Sequence, residues 1–245
     1  MKYYSLCDKG KVRKTNQDSL GIFENQNKEK LFLVCDGVGG NNAGDVASSL
    51  TISKIGREFE KNKGFKSLTD ARRFLKKIIL LANNAVFLES QKDRKYNGMA
   101  TTLTGLLFSE KGILLINVGD SRVYCLKGNK LQQLSEDHSY VAELLKAKLI
   151  SESDAKKHPK KHMITRAIGS NDIVEIDVKL VDERAEYFLI CSDGLHGYVK
   201  ESDICKIISG DGSVEKKTYD LMNAALDVGG PDNISIILIE GENKQ

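Results

Sequence analysis

Nowhere in these 245 residues does an apolar run approach the roughly 18 residues of a membrane span. The opening segment, MKYYSLCDKGKVRK, also lacks the hydrophobic stretch of a secretory signal. Together these absences lead us to expect a cytoplasmic protein with no membrane segment. Cysteine is scarce: Cys7, Cys35, Cys125, Cys191 and Cys205 are odd in number and show no CxxC spacing, which argues against a disulfide framework and a zinc ribbon. Three of them, Cys35, Cys125 and Cys191, sit inside apolar runs and read as buried thiols. No excess of one charge exists either. With 37 basic against 34 acidic residues the net charge is +3, too small to imply nucleic-acid binding. There is no linker rich in Pro, Gly or Ser, no low-complexity tract and no repeat, so a single domain over 1–245 is expected, within the about 250–300 residues that one core can serve.

What is present is a set of strand-like runs gathered in clusters: Ser19–Phe23, Leu31–Cys35, Thr101–Phe108, Ile113–Val118, Arg122–Leu126, Leu131–Leu134, Ile173–Leu180, Tyr187–Cys191 and Ile234–Ile239. Helical spacing of apolar residues predicts two long amphipathic helices, Asp45–Glu60 and Asp70–Glu89, and shorter ones at Tyr140–Leu149, Glu201–Ser209 and Lys216–Asp227. Clustered strands without strict βαβ alternation point to an α+β fold with antiparallel sheets. The stretch Ser135–Ser170 is far longer than a normal connection and reads as a functional lid or binding loop.

Several apolar runs end in an acid. LFLVCDGVGG, LLINVGDSRVY, YFLICSDGLHGY and GGPDNISIILIE place Asp36, Asp120, Asp193 and Asp232 at the margins of core strands. A lone Asp-Gly is only a turn signal. Like charges brought together in a partly buried cleft repel unless something cationic sits among them, and no Lys or Arg adjoins Asp36, Asp193 or Asp232 in sequence. All-oxygen ligation favours a hard cation such as Mg²⁺ or Mn²⁺ over zinc, and glycine directly after an acid lets a backbone carbonyl come close. Two such ions suit phosphate-ester hydrolysis. Arg13 could grip the phosphate bidentately, although on spacing alone it reads as a solvated arginine beside Lys9, Lys11 and Lys14.

The segments KVRKTNQDS, CDGVGGNNAGDVAS, GMATTLTGLLF, NVGDSRVY, LSEDHSYV, ITRAIGS, LICSDGLHGYV and GGPDNISIILI occur in the order seen in the PPM (PP2C-type) metal-dependent protein serine/threonine phosphatases. From about Lys2 to Glu240 the chain resembles that family, most closely its compact bacterial members. The resemblance implies a central antiparallel β-sandwich flanked by helices on both faces. It implies two catalytic Mn²⁺ or Mg²⁺ ions, bridged by Asp36, with the Gly37 carbonyl, Asp193 and Asp232 as further ligands. A third, weaker ion would lie between Asp193 and Asp120. Asp18 matches an acid that orients metal-bound water, and Arg13 the phosphate-binding arginine. The implied reaction is direct attack of metal-activated water on phosphoserine or phosphothreonine, with inversion and no phosphoenzyme. Phosphorylated proteins are the implied partners, including a Ser/Thr kinase and its substrates, and a monomer is expected.

The chain departs from family patterns in places. Val38 stands where animal members have a histidine, which excludes a general acid there and leaves metal-bound water to supply the proton. Asn41 and Asp45 replace His and Glu, Ala100 replaces a glycine, and Gln17 occupies the place of a ligating Glu, so looser metal binding is expected. Ser135–Ser170 matches the flap of bacterial members; its Lys146, Lys148, Lys156, Lys157, Lys160 and Lys161 could draw in a phosphopeptide. His138 reads as structural, and no motif gives His158, His162 or His196 a role. Two other readings fit the sequence less well: a catalytically silent phosphoprotein-binding module, which would not need a full set of acids, and a haloacid-dehalogenase-type hydrolase, which would want a second Asp where Val38 and Leu195 stand.

Overall fold

A computed structural model describes residues 1–38, 43–181 and 185–241, so the departure at Asn41 lies outside the described residues. One sheet contains β1 (Tyr3–Asp8), β7 (Arg122–Lys127), β8 (Lys130–Gln133), β10 (Tyr187–Cys191) and β11 (Ile234–Glu240), in the order β1-β11-β10-β7-β8. The other contains β2 (Asp18–Glu24), β3 (Lys30–Val38), β5 (Leu103–Ser109), β6 (Gly112–Val118) and β9 (Asp177–Val181) in that order, with the two-residue β4 (Ala100–Thr101) paired to the end of β3. Every strand pair is antiparallel.

The apolar runs are explained by strands that face a core on each side. Phe32 and Val34 of β3 pack with Leu106, Leu115, Val123, Phe188, Ile190 and Ile237 between the sheets. Their neighbours Leu31, Leu33 and Cys35 turn to the outer face, against Ile55, Phe59, Leu75 and Ile79 of α1 (Gly44–Glu60) and α2 (Leu68–Ser90). On the opposite face Leu189, Cys191, Ile236 and Leu238 meet Ile204, Ile208 and Leu221 of α6 (Glu201–Ser209) and α7 (Val214–Asp227). The result is four layers, helix-sheet-sheet-helix, as the family resemblance implies. Cys35, Cys125 and Cys191 are buried, also as expected.

The differences are local. β1 was not expected; it lies along β11, from Tyr3 opposite Ile239 to Asp8 opposite Ile234. The strand expected over Ile173–Leu180 starts at Asp177, because Ile173 is 76% exposed and belongs to the preceding loop. Residues 135–170 hold two short helices, α3 (Tyr140–Lys146) and α4 (Glu152–Lys157), between irregular segments. Four residues after β10 form the single turn α5 (Asp193–His196). No helix among the described residues is long and apolar enough to cross a membrane.

Candidate active site

At one end of the sandwich the strand margins from both sheets open onto a cleft of about 500 Å³. Asp36 and Gly37 reach it from β3, Asp120 from the β6–β7 loop, Asp193 from the start of α5, Asp232 from the approach to β11 and Arg13 from the N-terminal segment. All five expected ligand residues and the expected phosphate-binding arginine are therefore brought together, although Arg13 and Asp232 are 219 positions apart. Among the described residues, Gln17, Val38, His162, Ile164, Tyr198 and Asn233 also line it.

Backbone hydrogen bonds fix where each acid stands. The Asp36 N–H donates to Thr102 Oγ1 at 2.9 Å, and its carbonyl accepts from Thr102 N–H at 2.8 Å and Thr101 Oγ1 at 2.9 Å. Gly37 N–H donates to the Gln17 carbonyl at 3.1 Å, which also accepts from Ser48 Oγ at 2.7 Å. A Cβ on Gly37 would stand 2.2 Å from the Gly44 carbonyl oxygen, so only glycine lets α1 approach this strand end. Asn233 ties the N-terminal segment to β11: its Nδ2 donates to Lys9 O and Thr15 O at 2.8 and 3.0 Å, and its Oδ1 accepts from Gln17 N–H at 2.8 Å. Asp18, buried at 7% exposure, stands opposite Asp36 in the β2–β3 register and accepts from Ser192 Oγ at 2.7 Å.

The electrostatics follow from this crowding. Burial, then the charges of Asp18, Asp193, Asp120 and Asp232, hold the Asp36 carboxyl well above the usual range. Burial followed by the charge of Asp193 pushes Asp120 up to about 7. Asp18 also rises to about 7, chiefly through burial, against the lowering effect of its bond from Ser192. Burial and Asp232 raise Asp193, opposed by a hydrogen bond from the Asp36 carboxyl and by the nearby His162 and Arg13. The direct cationic partner is Arg13, whose Nη2 donates to Asp232 Oδ2 at 2.8 Å while its side chain stays 53% exposed.

The donor set suits a hard divalent cation. It consists of oxygen alone, its members repel one another, and beside them the buried Asp18 Oδ1 has no hydrogen-bond partner among the described residues. Among the described residues no three His, Cys, Asp or Glu side chains already converge as a finished ligand sphere; the acids line the cleft, with Asp232 bonded to Arg13.

Sequence reasoning missed other members. His162 and Tyr198 line the cleft, yet nothing in their spacing announced it, because one comes from the long 135–170 insertion and the other follows α5. His196 Nε2 lies 3.1 Å from the Asp120 carbonyl, and burial pushes its imidazole well below its ordinary value. Asn233 could have been noticed as the amide directly after Asp232. His138 has the structural role expected of it: its Nδ1 accepts from Gly119 N–H at 3.1 Å. None of the six lysines of the insertion lines the cleft; Lys146 pairs with Glu136 at 2.6 Å and Lys160 sits over the Tyr140 ring at 5.2 Å.

Comparison with known proteins gives a consistent picture. Residues 10–228 match the family model described as Protein phosphatase 2C. The chain is similar to the Serine/threonine phosphatase stp of Listeria welshimeri, 36% identical over 234 residues that cover 95% of this chain and 93% of that one. It is similar as well to Protein phosphatase PhpP of Streptococcus pneumoniae, 32% identical over 235 residues, covering 96% and 95%. Among solved structures, the Serine/threonine phosphatase Stp1 from Staphylococcus aureus superposes with a TM-score of 0.92 at 33% identity, covering 98% and 95%.

Proposed function

Because the chain belongs to the protein phosphatase 2C family and is a serine/threonine protein phosphatase of that type, we propose that it hydrolyses phosphoserine and phosphothreonine on proteins by direct attack of water, assisted by Mn²⁺ or Mg²⁺. One observation carries this reading: Asp36, Asp193, Asp232 and Arg13 line the same cleft.

Asp36, Asp193, Asp232 and the Gly37 carbonyl would hold two ions, and Asp120 with Asp193 a third. When bound, such ions supply positive charge to the phosphoryl oxygens and lower the pKa of water. The work of the chain itself is positioning. The Arg13 guanidinium, half exposed at the cleft, has donors beyond the one given to Asp232 and can hold two non-bridging oxygens at once. Asp18, buried beside Asp36 and bonded to Ser192 Oγ, would orient water held by an ion in the cleft. Val38 after Gly37 rules out a histidine acid at that position, and in this reading water held in the cleft, rather than His162, supplies the proton to the leaving alkoxide.

The physiological substrates in this reading are phosphoproteins of the same cell, phosphorylated by a Ser/Thr kinase that this enzyme opposes. The test is release of phosphate from a phosphothreonine peptide with Mn²⁺, with Mg²⁺ and with EDTA, for wild type and Asp193→Ala. Metal-dependent release that collapses in the variant is expected. A folded wild type that releases no phosphate from several peptides in millimolar Mn²⁺ would leave a phosphoprotein-binding module instead.

A further inference from the structure

Three residues make the whole connection between β6 and β7, and each is held by a different part of the molecule. Gly119, with φ +104, donates its N–H to His138 Nδ1 at 3.1 Å and accepts from His138 N–H at 2.9 Å. Ser121 Oγ lies 2.8 Å from Thr102 Oγ1, the atom that also accepts from Asp36 N–H. Between them, the Asp120 carbonyl is met by His196 Nε2 at 3.1 Å. A carbonyl only accepts, so Nε2 carries the proton and the ring is the Nε2–H tautomer.

The position of His196 gives this bond its consequence. It is the last residue of α5, whose first residue is Asp193. One turn of helix therefore carries an acid of the cleft at one end, and at the other the group that grips the backbone of a second acid. Asp193 and Asp120 line the same cleft, and as carboxylates they repel each other. Gly119 and Ser121 anchor the two ends of the loop, but neither bond holds the Asp120 carbonyl between them against that repulsion. With its carbonyl held from α5, the loop keeps its place, and the cost of bringing the two carboxylates together is met when the chain folds, before any ion binds.

We propose that His196 is a positioning residue: through its bond to the Asp120 carbonyl it sets the distance between Asp120 and Asp193, and with it the affinity for the divalent cation that these two acids share. This rests on the reading of both acids as ligands made above. No role for His196 follows from the motifs, since the turn is recognised by its Ser-Asp-Gly alone.

Mn²⁺ binding to the full chain, followed by the electron paramagnetic resonance signal of the free ion, tests this without reference to catalysis. Asp120→Ala defines the class of site that depends on Asp120. His196→Ala is expected to weaken that class about 10-fold and leave the tighter sites unchanged, while His196→Gln, whose Nε2–H reaches the same acceptor, restores most of the loss. An Ala isotherm that superposes on wild type, or a loss that Gln does not recover, overturns the proposal, as does a wild type with no Asp120-dependent site. If the Ala variant does not fold, ¹⁵N spectra of wild-type His196 decide: the Nε2–H tautomer supports the bond and the Nδ1–H tautomer overturns it. Phosphopeptide turnover measured in parallel separates the two readings. Metal affinity graded by residue 196 in a protein without turnover keeps the positioning role and removes the phosphatase reading; a turnover defect with an unchanged isotherm does the reverse.

Discussion

Asp18 and Asp36 are direct cross-strand neighbours, register partners on β2 and β3, and both carboxyls are held above the ordinary range. Like charges placed opposite each other on a sheet destabilise it. Asp18→Asn removes one charge and keeps an oxygen to accept from Ser192 Oγ. In EDTA at pH 8 the variant should melt above wild type, by about 2–4 °C for each kcal/mol of relieved repulsion, while its metal-dependent turnover drops about 10- to 100-fold. Calorimetry showing a lower melting temperature in EDTA would count against the arrangement.

The same pair predicts how that gain varies with pH. Asp18 titrates at about 7 in the folded chain against an ordinary 3.8, so between those values the folded state holds a proton that the unfolded state has lost. Stability from this group is therefore greatest at low pH and falls as pH rises to about 7. Burial holds the His138 and His196 imidazoles below their ordinary 6.5, which works in the opposite direction as pH falls under that value. Subtracting wild type from Asp18→Asn cancels those histidines. The difference in melting temperature should be largest at pH 8 and shrink toward zero by pH 5; a difference flat across this range would refute the assignment.

Gly194 is the contact point between α5 and the segment that carries Asp232 into β11. A Cβ there would stand 1.9 Å from the Asn233 carbonyl oxygen, a backbone atom that no side-chain rotation can move aside. Gly194→Ala should push Asp193 away from Asp232, lowering phosphopeptide turnover at least about 10-fold and raising the metal concentration needed for half-maximal rate. Retained turnover at wild-type metal concentrations would show that the turn tolerates the separation.

Arg13 is tied to Asp232 by one nitrogen and stays half exposed. Arg13→Lys keeps the charge and loses the planar fork. Steady-state kinetics should show kcat/KM for a phosphothreonine peptide down by about 10- to 100-fold, with inhibition by inorganic phosphate weakened in parallel. Unchanged phosphate inhibition would mean that Arg13 serves Asp232 alone.

Far from the cleft, the buried Lys217 on α7 donates from Nζ to the Ile208 carbonyl at 2.7 Å and to Tyr187 Oη at 3.0 Å, and lies 4.1 Å from the Tyr187 ring centre. Lys217→Met fills similar space and leaves that carbonyl without its donor. A loss of about 1–3 kcal/mol in chemical denaturation is expected, with phosphopeptide kinetics per folded molecule unchanged.

Which parts of this molecule could be read from its sequence follows from how their signals arise. The runs Leu31–Cys35, Tyr187–Cys191 and Ile234–Ile239 announced themselves because both faces of each strand are covered. β1 did not, since YYSLCD at a sheet edge exposes Tyr3 and Cys7 and shows no clean alternation. α5 is a single turn and read as the close of a strand. α4 was missed although its signal was present, a capping box between Ser151 and Asp154. At the cleft, acids at strand ends were legible because core strands fix them. His162, Tyr198 and the His196 bond were not, because they depend on how an irregular insertion and a short turn settle against distant residues.

The cleft draws Asp36 from one sheet and Asp193 and Asp232 from the other, and Asp232 leads into β11, which zips between β1 and β10. The site therefore belongs to neither sheet alone: if β11 parts from its neighbours β1 and β10, Asp232 leaves the cleft and Arg13 loses the carboxylate it holds, even while each remaining strand keeps its own partners.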